Sequence, residues 1–102
     1  MRVLSLKPLR EFWERHPDAE AVLRRWFKVA ERAHWERWAD VKVTFPQADL
    51  VPAQSGVKMV VFNVGGNKFR VVAHVPFRAG WMFIKRVLTH AEYSRDRWKE
   101  DL

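Results

Sequence analysis

The sequence predicts an α+β domain in which two N-terminal helices pack on a curved antiparallel sheet of about four strands. Three observations carry this expectation. Apolar residues recur at helical spacing over the first thirty or so positions. Short β-branched runs separated by tight turns follow from Leu50 onward. At 102 residues and 48% hydrophobic content, the chain is long enough to bury a core and too apolar to stay disordered, which predicts one domain over residues 1–102.

Each element has a local reason. "MRVLS" is short and aliphatic and suits an extra N-terminal edge strand. Pro8 fits a first helical turn, and Leu9, Phe12, Trp13 and His16 then share one helical face. Pro17 ends that helix. Asp18 is the expected N-cap of a second one, whose apolar stripe is Ala19, Val22, Leu23, Trp26, Val29, Ala30 and Ala33. "DVKVTFP" reads two ways: Val41, Val43 and Phe45 alternate like a strand, while Asp40 suits the cap of a short helical turn. The four expected strands are "DLVP", "VKMVVFNV", "KFRVVAHVPF" and "GWMFIKRVLT", in a meander.

Charge is unevenly placed. The net charge is +7, which makes a polyanion the default partner. Residues 1–40 hold nine Lys/Arg against seven Asp/Glu, whereas residues 41–90 hold seven against a single acid, Asp49. The anion-binding potential therefore belongs to the strand-rich half. The absence of Cys excludes disulfide scaffolds and Cys-based metal sites. His16 and His34 have no partners at ligand spacing, so no metal and no cofactor is expected. "MRVLSLKPLREFW" shows no signal-peptide pattern and no run is long enough to span a bilayer, which predicts a cytoplasmic protein. The six Trp exceed what a core of this size requires, and some indole surface is expected to meet another protein chain.

"FNVGGNKFRVVAHV" (Phe62–Val75) is where the chemistry starts. Gly65 and Gly66 supply the positive φ of a hairpin turn. "NVGGN" lacks P-loop spacing and precedes a strand, so it is no phosphate loop. Beyond it Phe69, Val71, Ala73 and Val75 alternate with Lys68, Arg70 and His74, which predicts a core face and a basic shelf; Val72 falls on the shelf side. The next strand ends in "IKRVLTHAEY", gathering Lys85, Arg86, Thr89, His90, Glu92 and Tyr93. A His beside a Tyr, with cations on neighbouring strands, is what metal-free RNA cleavage needs. A base takes the 2′-hydroxyl proton, cations stabilise the phosphoryl charge and an acid protonates the departing 5′-oxygen.

These two segments resemble the HigB branch of the RelE-like toxins of bacterial toxin–antitoxin pairs, whose members show a similar F-N-x-G-G-N-x-x-R-x-x-A segment and a terminal T-H-x-E-Y-D. The resemblance is strong over Phe62–Tyr93 and weak over the rest. Ser94 stands where the family usually has Asp, and Leu88 where Gly is common; Glu92 is the candidate replacement for the missing acid. The resemblance implies a RelE-like fold, a short helix at "DVKVTFP", and ribosome-dependent, metal-independent cleavage of mRNA that inhibits translation. It also implies neutralisation by a HigA-type helix-turn-helix antitoxin. Arg70, Lys85, His90 and Tyr93 are the expected catalytic residues, with Asn67, Lys68, His74, Arg86 and Thr89 binding RNA. Two rivals remain open: a non-catalytic RNA- or ribosome-binding module, and a protein-interaction domain built on the Trp-rich helices.

Overall fold

The computed structural model describes residues 1–102. β1 (Arg2–Leu4) leads to α1 (Lys7–Arg15), a 3₁₀ turn at Pro17–Ala19 and α2 (Glu20–Arg32). α3 (Trp38–Thr44) precedes β2 (Asp49–Pro52), β3 (Lys58–Val64), β4 (Phe69–His74) and β5 (Trp81–Thr89). α4 (His90–Ser94) and a 3₁₀ segment (Arg97–Asp101) follow. The strands form one five-stranded sheet in the order β1-β5-β4-β3-β2.

The α+β class holds, with two corrections. The sheet is mixed rather than antiparallel, because β1 runs parallel to β5 while the other neighbours are antiparallel. Parallel pairing needs a long crossover, and residues 5–80 separate these two strands. There are also four α-helices rather than two.

Local chemistry explains the boundaries. Pro8 lies in the first turn of α1, which buries Leu9 and Phe12, and the His16 N–H closes the helix on the Phe12 carbonyl at 2.8 Å. Asp18 is not the cap of α2. Pro17 opens a 3₁₀ turn that holds Asp18, and the helix starts two residues later, with Ala19 at the N-cap. α2 buries Leu23, Trp26 and Ala30 from the expected stripe. "DVKVTFP" is helical: the Asp40 carboxylate accepts the backbone N–H groups of Glu36 and Arg37 at 2.9 and 3.2 Å, tying down the helix start. Val41 is then buried while Val43, two positions on and across the helix, is 82% exposed.

The main core lies between the helices and one sheet face, with Phe62 at its centre. Its ring is 5.2 Å from those of Trp26 and Phe45 and 5.9 Å from that of Trp35. Phe69, Val71 and Ala73 point into this core, as the alternation of β4 requires. The opposite face carries a second cluster, Met59, Val61 and Val72 with Ala53, capped by Trp98 from the 3₁₀ segment. The expected basic shelf is therefore covered across its middle, and only its two ends are open.

β5 breaks its own alternation. Val72 pairs with Arg86 and Ala73 with Ile84, so Lys85 is the extra residue of a bulge. Met82, Ile84 and Val87 are buried. Lys85 and Arg86 both fall between the buried positions, and the Val72–Arg86 pairing puts Arg86 on the Trp98-covered face.

Candidate active site

The site forms where the β3–β4 turn meets α4. Gly65 and Gly66 both take positive φ, 66° and 68°, as a tight hairpin turn demands. A Cβ on Gly65 would also approach the Phe69 ring at 3.3 Å. The turn brings Asn67 back over Arg70. Arg70 Nη2 donates to Asn67 Oδ1 at 2.7 Å, and Nη1 donates to the Asn67 and Phe69 carbonyls at 3.2 and 3.1 Å.

His90 arrives from the other side. Thr89 caps α4 in a reciprocal box: its hydroxyl accepts the Glu92 N–H at 3.1 Å, and the Glu92 carboxylate accepts the Thr89 N–H at 2.9 Å. That turn exposes the His90 side chain while its backbone N–H donates to the Lys68 carbonyl at 2.9 Å. Arg70 Nη2 then lies 3.3 Å from His90 Nδ1. A guanidinium only donates, so Nδ1 is the acceptor and the neutral ring carries its proton on Nε2.

Tyr93 sits over the same guanidinium, with Arg70 Cζ 5.3 Å from its ring centroid. Trp98 stacks on Tyr93 with centroids 5.4 Å apart and donates its indole N–H to the Tyr93 carbonyl at 3.1 Å. Burial pushes the Tyr93 hydroxyl up in pKa, Asp49 adds to the shift, and the Arg70 charge opposes it.

The electrostatics turn on Arg70. It is only 6% exposed, and no carboxylate pairs with it. Its donors meet neutral acceptors alone. A buried cation without a counter-ion is costly to keep, and it generates a positive potential at the exposed imidazole above it.

Asn67, Arg70, Thr89, His90 and Tyr93 thus converge, with exposed Lys68 at the rim. Lys85, Arg86 and His74 do not join them. Arg86 pairs with Val72 at the middle of the sheet, Lys85 is the bulge residue beside it, and His74 lies four residues along β4 from Arg70, about 13 Å away. Lys85 Nζ lies 4.8 Å from the Phe83 ring centroid. Arg86 donates to the Lys85 carbonyl at 2.8 Å and reaches the exposed Asp101 carboxylate at 3.7 Å. Glu92 does not orient the imidazole, since the helix cap uses its carboxylate. Ser94 donates to the His90 carbonyl at 2.9 Å, away from the ring.

Two contributors were not anticipated from sequence. Asp49 offered one signal, as the sole acid of residues 41–90. Trp98 offered none, because its contact with Tyr93 and the β-sheet depends on the path of α4.

A mixed sheet with helices over one face, carrying an Arg–His–Tyr cluster at the end of its central hairpin, is compatible with the RelE-like toxins. A family model described as HigB_toxin, RelE-like toxic component of a toxin-antitoxin system, matches residues 19–96. The mRNA interferase toxin HigB of Escherichia coli strain K12 is 32% identical over 94 residues, covering 92% of this chain and 88% of that protein. The mRNA interferase HigB of Escherichia coli O6:H1 is 27% identical over 95 residues, covering 93% and 90%. The chain belongs to the HigB toxin family, the toxic components of toxin–antitoxin systems.

Proposed function

We propose that this chain is an mRNA interferase that cuts mRNA on the ribosome by metal-independent transesterification in the bacterial cytoplasm, and that a HigA-type helix-turn-helix antitoxin neutralises it. One observation carries the reading: a buried, carboxylate-free arginine lies in contact with an exposed histidine. The similarity to proteins named mRNA interferase supports it.

In the reaction the 2′-oxygen attacks phosphorus and loses its proton, while the bond to the 5′-oxygen breaks and that oxygen gains a proton. The products are a 2′,3′-cyclic phosphate and a 5′-hydroxyl. Arg70 supplies the positive field for the pentacoordinate phosphorane. A phosphate entering above the cluster draws the guanidinium off His90 Nδ1, and the freed imidazole then transfers a proton. Tyr93, engaged by Arg70 and Trp98 on its ring, positions RNA through its hydroxyl rather than an open stacking face. Asn67 holds Arg70, Thr89 fixes the turn that presents His90, and Lys68 meets the RNA backbone at the rim. Lys85, Arg86 and His74 serve a more distant part of the strand or the fold itself.

A non-catalytic RNA-binding module would need exposed cations such as Lys68, but it would have no use for an imidazole held against a buried guanidinium. Expression of the chain alone in bacteria tests the reading. Translation is expected to stop, with new mRNA 5′ ends bearing hydroxyl groups, and a co-expressed antitoxin is expected to restore growth. Normal growth with folded protein present would contradict it.

A further inference from the structure

A second concavity opens on the sheet face that carries the Arg70 site, at the other end of β4 and beyond the Trp98 cover. Val57, Met59, His74, Lys85, Asp101 and Leu102 line a pocket of about 330 Å³. That volume falls at the lower end of ligand sites, near 300 Å³, and suits one nucleobase.

We propose that this pocket is a base-reading subsite for a second nucleotide of the bound RNA, and that it selects a base carrying an exocyclic amino group. The proposal rests on the RNA-cleaving reading above and adds to it a specificity determinant away from the cleaved bond.

Several features support this assignment. The β5 bulge inserts Lys85 between Ile84 and Arg86, beside the pocket rather than in the regular ladder. Bulges of this kind re-aim side chains next to functional sites. Lys85 is therefore placed to meet a phosphate at the pocket rim. Asp101 introduces a carboxylate into a basic face, which a mere phosphate-binding surface would avoid. Arg86 holds it from one side at 3.7 Å, leaving lone pairs to accept from a ligand. Carboxylates on nucleic-acid surfaces read amino groups such as cytosine N4. His74 Nδ1 is buried without a hydrogen-bond partner, although its ring lies against Trp81 at 6.3 Å. That nitrogen is closed off from the pocket, so the His74 ring serves the site as part of its wall. Met59, Val57 and Leu102 provide the apolar walls that a planar ring requires.

His74 lies four residues along β4 from Arg70, which separates the two sites by about 13 Å. The Trp98 cluster stands between them, so the RNA passes over that ridge, with one nucleotide at the His90 site and another in the pocket.

The test uses the full chain and titrates cytidine and uridine 5′-monophosphate, which contain no internucleotide bond to cleave, by amide NMR. Cytidine monophosphate is expected to shift Met59, His74 and Lys85 and to bind about tenfold more tightly than uridine monophosphate. Asp101→Asn, a change at an exposed side chain, is expected to abolish that difference, whereas Lys85→Ala weakens both nucleotides alike. Equal binding of the two, or shifts confined to residues outside the pocket, would overturn the proposal even if the native chain cleaves mRNA. Base-selective binding by a chain that never cleaves would leave the subsite standing and refute the enzymatic reading.

Discussion

Arg70 Nη2 lies 3.3 Å from His90 Nδ1, which joins a buried cation on the central hairpin to an exposed proton-transfer group at the start of α4. His90 is tied into the same hairpin through its backbone bond to Lys68. One turn and one helix cap therefore set the geometry of the site, and both can be perturbed separately from the imidazole.

Arg70→Ala should lower both stability and cleavage. The substitution removes the donors to Asn67 Oδ1 and to the Asn67 and Phe69 carbonyls; the bond to Phe69 is buried, and an unsatisfied buried acceptor costs about 1–3 kcal/mol. The Tm should fall by at least about 5 °C, with single-turnover cleavage down by at least about a hundredfold. A Tm within a degree of the native value would show that these contacts do not hold the fold.

Asn67→Asp separates charge from stability. A carboxylate at 2.7 Å from Nη2 makes a stronger, charge-assisted bond to Arg70 and neutralises the field that a phosphate needs. The Tm should be unchanged or higher while cleavage drops by about tenfold or more. Undiminished cleavage would show that the positive potential of Arg70 is not used.

The chain has a single tyrosine, so an ultraviolet titration of tyrosinate reports Tyr93 alone. Its midpoint should lie above the ordinary value of 10.0, and Asp49→Asn should lower it. Because the folded-state pKa is raised, Tyr93 contributes stability that is fully present below the unfolded value and lost as pH rises through the folded one. Tyr93→Phe should remove that alkaline component of unfolding. A midpoint below 10.0 would refute the burial of the hydroxyl.

The helix cap makes a further distinction. Glutamine serves the Glu92 position of a capping box nearly as well as glutamate, so Glu92→Gln should leave cleavage and Tm nearly unchanged. Thr89→Ala should cost about 1 kcal/mol and loosen His90. A large loss of activity in Glu92→Gln with an unchanged fold would instead assign that carboxylate to the chemistry.

Much of this arrangement was legible in the sequence. The alternation Phe69, Val71, Ala73 marked the core face of β4, and the doubled glycine marked the turn. The paired segments around Arg70 and His90 marked the family. The spacing of Met82, Ile84 and Val87 also encodes the β5 bulge, because a uniform strand would keep its apolar residues on one parity. That bulge separates Lys85 from the cluster it was expected to join. The parallel pairing of Arg2–Leu4 with Trp81–Phe83 and the packing of Trp98 on Val72 were not legible. Both are contacts between segments far apart in the chain, and local patterns carry no record of them. For the same reason Arg70 read as a shelf residue, whereas Tyr93 and Asn67 enclose it.

The most direct test is His90→Ala, measured for single-turnover mRNA cleavage on ribosomes, ribosome affinity and Tm on one preparation. Losing a general acid–base group should slow cleavage by about 10²- to 10⁴-fold, or roughly 3–5 kcal/mol of barrier. The exposed imidazole should contribute little to affinity or Tm. Native-rate cleavage from the folded variant would contradict the catalytic assignment of His90.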